Sequence, residues 1–357
     1  MSLLQIFLYP FTLIYQGITD FRNHLYQIGS KKSFSFEVFV INVGNLTVGG
    51  TGKTPHVEYL IRMLKDQYPL ATLSRGYGRK SKGFILADES ANASLIGDEP
   101  MQFYHKFSAE VGIAVGEERA FAIPHILFER PKTKVILLDD AFQHRAVTPT
   151  CNILLTDYER LFYQDFPFPS GRLRESRYGA RRADIVIVSK CPENLSHDQK
   201  EGIRDQIYPY TKTNTPIFFT GIRYAPLQPA VFGKIPSDQP ITQETSVVLF
   251  SGIARHGGLE KYVKEHFREV THLKFADHHH YQQKDLEKII RTWQQADHTS
   301  KIILTTEKDY VKLIPKSTLF SQIPLYYLPI EIYFQGEEEL FNSLIINGIT
   351  NFYSSNK

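Results

Sequence analysis

The stretch from Val38 to Leu64 limits the possible folds of this chain more than any other. A β-branched and aromatic run (Phe39, Val40, Ile41, Val43) leads into Gly44-Asn45-Leu46-Thr47-Val48-Gly49-Gly50-Thr51-Gly52-Lys53-Thr54, after which apolar residues (Val57, Leu60, Ile61, Leu64) keep helical spacing. Strand, glycine-rich loop and helix in that order make a phosphate loop. Glycines let backbone N–H groups crowd around phosphate oxygens, and the helix N-terminus adds a favourable dipole. Thr47, Val48, Gly49, Gly50, Thr51, Gly52, Lys53 and Thr54 are therefore expected to bind a nucleotide, with Lys53 reaching the β/γ-phosphates and the Thr54 hydroxyl on Mg²⁺. The strict pattern wants glycine where this chain has Thr47, but the Gly-Gly-Thr-Gly-Lys-Thr core is intact.

A second signal completes the nucleotide site. Val135 to Leu138 is a short apolar run ending in Asp139-Asp140-Ala141-Phe142-Gln143-His144, the form of a Walker B strand whose carboxylates hold Mg²⁺. Further strands are expected at Leu70 to Leu73, Asn152 to Thr156 and Ile185 to Ser189. This pattern predicts an α/β fold built on a P-loop NTPase-like doubly wound sheet, whose strand ends carry Ser74-Arg75-Gly76-Tyr77-Gly78-Arg79 at the ligand edge. Five arginines (Arg172, Arg174, Arg177, Arg181, Arg182) suit an anionic substrate. Ser189-Lys190-Cys191-Pro192 falls where GTPases read guanine with Asn-Lys-x-Asp; the aspartate is missing, so ATP is expected rather than GTP.

The remaining chain divides by composition. Residues 1–29 carry an apolar run from Leu3 to Tyr15, broken by Gln5 and Pro10, with no lysine or arginine before Arg22. That argues against a secretory signal, and the run is shorter than the roughly 20 residues a spanning helix needs. A helix lying in a membrane interface fits, with Arg22, Lys31 and Lys32 toward the aqueous side; the alternative is a helix packed on the protein's own core. Residues 30–222 form the expected kinase domain. Pro216 to Pro240 reads as a linker, and 223–357 as a smaller α/β domain with strands at Val247 to Phe250 and Ile302 to Leu304, and a closing helix near Glu337 to Ile345. A net charge of +3 gives no argument for nucleic acid. Cys151 and Cys191 cannot make a disulfide framework and lack metal-ligand spacing. His278, His279 and His280 invite zinc, but adjacent side chains rarely converge on one ion, so an acid–base or substrate role is favoured.

Taken together, Asn45 to Pro55, Ser74 to Gly78, Gly97-Asp98-Glu99-Pro100, Asp139 to His144, Gly171-Arg172-Leu173-Arg174-Glu175, Asp277-His278-His279 and Thr306-Glu307-Lys308-Asp309 resemble the motif series of the tetraacyldisaccharide 4′-kinase family. Ala141, where that family usually has glycine, and Ser170 and Arg172 depart from it. The resemblance implies transfer of the ATP γ-phosphoryl to the 4′-hydroxyl of a tetraacylated glucosamine disaccharide 1-phosphate, in lipid A biosynthesis. It further implies a peripheral or monotopic place on the cytoplasmic face of the inner membrane. Mg²⁺ is expected from the phosphate-loop and Walker B residues, and a monomer is expected. By similarity to the family, Asp98 is the base, supported by His278. Lys53 is expected on the transferring group, and Arg75, Arg79, Gln143, His144, Arg172 and Arg174 are expected to meet the anionic glycolipid. A partitioning-type membrane ATPase without a lipid acceptor shares the glycine core, but its signature lysine would stand where this chain has Val48.

Overall fold

The computed structural model describes residues 3–230, 240–296 and 300–355. After a 25-residue helix, α1 (Leu3–Gln27), the chain forms β1 (Phe39–Asn45), α2 (Lys53–Leu64), β2 (Leu70–Ser74), β3 (Ile85–Leu86), α3 (Ala93–Ile96), α4 (Asp98–Phe107), β4 (Gly112–Val115), α5 (Arg119–Glu129), β5 (Val135–Asp139), β6 (Cys151–Asp157), β7 (Ile185–Ser189), α6 (His197–Ile207) and β8 (Ile217–Tyr224). A short β9 (Gln228–Pro229) precedes β10 (Ser246–Ser251), α7 (Gly257–His266), β11 (Val270–Lys274), α8 (Gln283–Gln295), β12 (Lys301–Thr306), α9 (Glu307–Leu313) and β13 (Leu325–Leu328). The chain closes with β14 (Ile330–Phe334) and α10 (Glu338–Ser355).

The first sheet has the order β14-β8-β7-β6-β1-β5-β2-β4-β3, parallel from β8 through β4 and antiparallel only at its two edges. β1 lies at its middle because both faces of the strand are apolar. Phe39, Ile41 and Val43 pack with Val57, Leu60, Ile61 and Leu64 of α2, while Val38 and Val40 pack with Ala122, Ile123 and Ile126 of α5. The period-2 alternation of a strand puts successive side chains into these two separate cores. The doubly wound sheet and the P-loop-type fold are thus as the sequence implies.

The second sheet, β11-β10-β12-β13-β9, is a smaller α/β unit. It is joined to the first by one apolar cluster in which Ile96 and Met101 meet Phe250, Tyr281, Leu286 and Tyr310.

Two boundaries differ from the sequence reading. Pro216 to Pro240 is not simply a linker: Ile217–Tyr224 is β8, paired in parallel with β7, and residues 231–239 lie outside the described residues. Pro216 and Pro226 made the stretch look irregular, but proline only brackets the strand, whose Phe218, Phe219 and Thr220 are buried. Nor do β14 and α10 belong with the second sheet. β14 pairs antiparallel with β8, and Phe341, Ile345 and Ile349 of α10 complete the core under β1. α10 also runs on to Ser355, past the expected end near Ile345.

α1 departs from the core-helix alternative. Its only buried residue is Thr12, while Leu3, Phe7, Phe11, Ile14, Ile18 and Phe21 are exposed. The polar side does the docking. Thr12 and Ser170 share hydrogen bonds, the Tyr15 hydroxyl donates to the Arg174 carbonyl at 2.9 Å, and Asn23 donates to Glu175 at 2.9 Å. No helix among the described residues is long and apolar enough to cross a membrane.

The place of α10 is testable. Phe341 is 1% exposed, so Phe341→Ala should destabilise the protein by about 3–5 kcal/mol in urea unfolding followed by circular dichroism. A loss below about 1 kcal/mol would mean that α10 is not part of that core.

Candidate active site

The phosphate loop leaves β1 at the carboxyl edge of the sheet and is zipped to a second segment. Val48 N donates to the Arg172 carbonyl at 2.8 Å, Arg174 N donates to the Leu46 carbonyl at 2.7 Å, and Thr47 bridges Leu173. Gly52 caps α2 with a φ of 80°, the left-handed conformation that glycine adopts without strain. Gly44 has a different reason: a Cβ there would stand 2.6 Å from the Cβ of Phe142, so only glycine lets β1 approach the turn after β5.

That turn carries the two aspartates. Asp139 is buried, and its Oδ1 has no hydrogen-bond partner among the described residues. Burial, reinforced by the neighbouring charges of Asp140 and Glu99, raises its carboxyl to about 7. Asp140 takes the opposite course. Burial would raise it too, but Lys53, 3.7 Å away, and a two-pronged contact from Arg174 at 2.9 and 3.1 Å hold it below the usual carboxylate range. An orphaned carboxylate oxygen beside a second acid, on the strand next to the one that leads into the phosphate loop and its Thr54, is a donor set that suits Mg²⁺. Among the described residues no cluster of three His, Cys, Asp or Glu side chains forms a metal cage, but a nucleotide Mg²⁺ needs none, since phosphates and water complete its shell.

Asp98 and His278 come together from different sheets. Asp98 opens α4 behind Gly97, the cap residue, and does not serve as a side-chain cap. It is 5% exposed, with its Oδ2 3.2 Å from His278 Nδ1 and 3.3 Å from Lys312 Nζ. His278 Nε2 is 3.0 Å from Lys308 Nζ, and Lys308 pairs with Glu99 at 3.2 Å. Burial pushes the Asp98 carboxyl up, but the His278 hydrogen bond and the Lys312 and Lys308 charges outweigh it and hold the group below its ordinary value. His279 turns instead to Asp285 at 3.0 Å and His280 is exposed, so the three histidines diverge.

The remaining residues expected to bind substrate divide sharply. Arg75 and Arg172 are exposed, and among the described residues neither side chain has a partner. Arg79 does not fit the expectation: its side chain is 2% exposed and bound to Glu117 at 2.5 Å and the Gly83 carbonyl at 2.6 Å. Arg174 is taken by Asp140, as above. Gln143 donates to the Asn45 carbonyl at 2.8 Å and to Glu175 at 3.0 Å. His144 accepts from Arg119 N at 3.2 Å, and burial with the nearby Arg119, Arg22 and Arg75 drives its imidazole down to about 4. Arg177 and Arg182 are bound to Asp165 and Glu175, so the arginine segment is not one free patch. Cys151 and Cys191 are buried free thiols, pushed by burial up to about 12.

Sequence reasoning missed Glu99, Lys308, Lys312 and Arg119 as members of the site. Lys308 and Lys312 had a signal: Thr306-Glu307-Lys308-Asp309 directly follows an apolar strand, the same grammar that marks Asp139. Arg119 had none; it is buried at 2% exposure on the Gly116 and Glu117 carbonyls.

The raised Asp139 carboxyl gives a signed prediction. An acid whose folded value lies above its unfolded value stabilises the fold at low pH and loses that contribution as pH rises through about 7. Asp139→Asn should therefore raise the Tm of the nucleotide-free protein at pH 8, by an amount that shrinks toward pH 5. A Tm difference independent of pH would exclude a buried, protonated Asp139.

The sequence profile of the tetraacyldisaccharide-1-P 4′-kinase family matches residues 4–349. The tetraacyldisaccharide 4′-kinase of Flavobacterium johnsoniae is 47% identical over 353 residues, covering 98% of each chain. That of Bacteroides thetaiotaomicron is 43% identical, covering 95% of this chain and 92% of its own. Among solved structures, LpxK of Aquifex aeolicus, determined in complex with ATP, superposes with a TM-score of 0.74 at 31% identity, covering 97% of this chain and 100% of that one.

Proposed function

The chain belongs to the tetraacyldisaccharide-1-P 4′-kinase family, and we propose that it transfers the γ-phosphoryl of ATP to the 4′-hydroxyl of a tetraacyldisaccharide 1-phosphate through Asp98 and His278. The observation that carries the site assignment is the 3.2 Å contact between these two residues, one from each of the two α/β units. Asp139 is close enough to feel the charge of Glu99, which neighbours Asp98.

Each group has a role that its surroundings support. Lys53, and Arg174 through Asp140, keep positive charge beside the transferring group. Thr54, Asp139 and Asp140 would hold Mg²⁺, which when bound neutralises charge developing on the phosphates. Asp98 takes the proton of the acceptor hydroxyl. A carboxylate held below its ordinary pKa is a weak base, but phosphoryl transfer through a loose transition state asks for little proton removal before the phosphorus–oxygen bonds change. His278 fixes the carboxylate's orientation, and both its partner contacts fall on Oδ2, which leaves Oδ1 for the hydroxyl. Arg75 and Arg172, the unpartnered cations, meet the anionic glycolipid, while Arg79 is reassigned to bracing its own loop. The exposed apolar side of α1 would lie in the cytoplasmic leaflet of the inner membrane, with the acceptor lipid beside it.

The direct test supplies the purified protein with γ-labelled ATP and the lipid disaccharide. Label should appear on the lipid, and release to water alone would sink the kinase reading. Asp98→Ala should lower kcat on the order of 10²- to 10⁴-fold with ATP affinity nearly unchanged, and His278→Ala should be less than additive with it. Loss of ATP or Mg²⁺ binding in Asp98→Ala would instead make Asp98 a metal-shell residue.

A separate measurement addresses the membrane. Removing residues 1–27 should release the protein from phospholipid vesicles in flotation and raise KM for the lipid acceptor. Retained vesicle binding with unchanged KM would assign α1 another task.

A further inference from the structure

The phosphate loop is held from behind. Four successive carbonyls accept side-chain hydrogen bonds: Gly49 from Asn45 Nδ2 at 3.4 Å, Gly50 from Lys190 Nζ, Thr51 from Ser189 Oγ at 2.8 Å, and Gly52 from His56 Nδ1 at 2.6 Å. In a trans peptide the N–H of the next residue points opposite to the carbonyl. Pinning these carbonyls therefore aims the amides of Gly50, Thr51, Gly52 and Lys53 at the other side of the loop, where phosphate oxygens are received.

His56 stands out among the four donors. It lies in the first turns of α2 at 3% exposure, and its ring and its own backbone N–H, at 3.4 Å, converge on the carbonyl of Gly52, the residue in left-handed conformation. A carbonyl can only accept, so Nδ1 carries the proton and Nε2 accepts from the Thr220 hydroxyl on β8 at 3.0 Å. Thr220 is itself fully buried, and its carbonyl accepts from Cys191 N at 2.9 Å, so the far side of the ring rests on a strand held in place by its own backbone. A lysine in this place would make the same bond at the cost of a buried charge next to Lys190.

We propose that His56 is a positioning residue for nucleotide binding, holding the Gly52 carbonyl so that the loop amides are preorganised for the phosphates. This rests on the reading that the loop binds ATP. The test is calorimetric ATP titration of the full chain with His56→Phe, His56→Asn and His56→Gln, alongside Tm and KM for each substrate. His56→Phe keeps the ring volume without the donor. It should weaken ATP binding by about tenfold, the cost of one lost hydrogen bond in a buried setting, with KM for the lipid unchanged. His56→Asn, whose amide nitrogen stands where Nδ1 stood, should restore binding; His56→Gln, whose nitrogen reaches one bond farther, should not. A folded His56→Phe that binds ATP as tightly as wild type would overturn the proposal. If His56→Phe does not fold, equal affinities for the Asn and Gln variants would overturn it. Failure of the wild-type chain to bind ATP would instead remove the kinase reading, so the two failures are distinguishable.

Discussion

Two adjacent carboxylates at the end of β5 set the terms for their surroundings. Asp139 is buried without a full complement of hydrogen bonds, and Asp140 sits beside it, so the uncompensated pair would be strongly unfavourable in a low-dielectric interior. The structure answers with Lys53 and Arg174 on Asp140, and Arg119 close behind. Each of these commits further residues. Arg174 brings the Gly171–Glu175 segment against the phosphate loop, Gln143 ties Asn45 to Glu175, and Arg22 reaches from α1 to the Gln143 carbonyl at 3.1 Å. The helix at the start of the chain is thereby fastened to the same set of charges that surrounds the two aspartates.

The two sheets are joined by a second buried set of charges. Lys106 of α4 reaches Glu58 of α2 at 2.7 Å and Glu307 of α9 at 2.6 Å, with Gln102 donating to both carboxylates. Burial and the nearby Glu58 charge raise the Glu307 carboxyl above its ordinary value. α4 therefore has two ends with different partners: Asp98 faces His278 at its start, and Lys106 links the phosphate-loop helix to α9 near its finish. Because Glu307 and Lys308 are neighbours in α9, this ion network and the Lys308–His278 contact position the same short helix.

Legibility in the sequence followed the range of the interactions involved. The phosphate loop and the Asp139 strand are local patterns, where glycine, lysine and acid types at fixed spacing state their own chemistry. The doubly wound sheet followed from apolar runs short enough to be strands buried on both faces. The Asp98–His278 pair was reachable only through a family resemblance, because residues 180 positions apart leave no spacing to read. Arg79 was misread for a related reason: an arginine in a glycine-rich turn at a strand end has the same local signature whether it faces solvent or is folded back onto Glu117. Composition also failed around Pro216, where proline marks the margin of a strand instead of a gap between domains, and at the C-terminus, where nothing local says which sheet β14 will join.

The return of β14 and α10 to the first sheet has a consequence for how the protein is made. Synthesis runs from β1 toward α10, so the face of β1 that α10 covers stays open until residues beyond the second sheet have emerged. β10 to β13, together with α7 to α9, are all on hand earlier. The smaller sheet can thus gather its partners while the larger one still lacks an edge strand and a helix. Until then Phe39 and Phe218 lack the cover that α10 gives them, and β8, paired on one side with β7, presents its other edge, which pairs readily with other chains. β14 and α10 thus close both an open edge and an open face of the sheet whose middle strand leads into the phosphate loop.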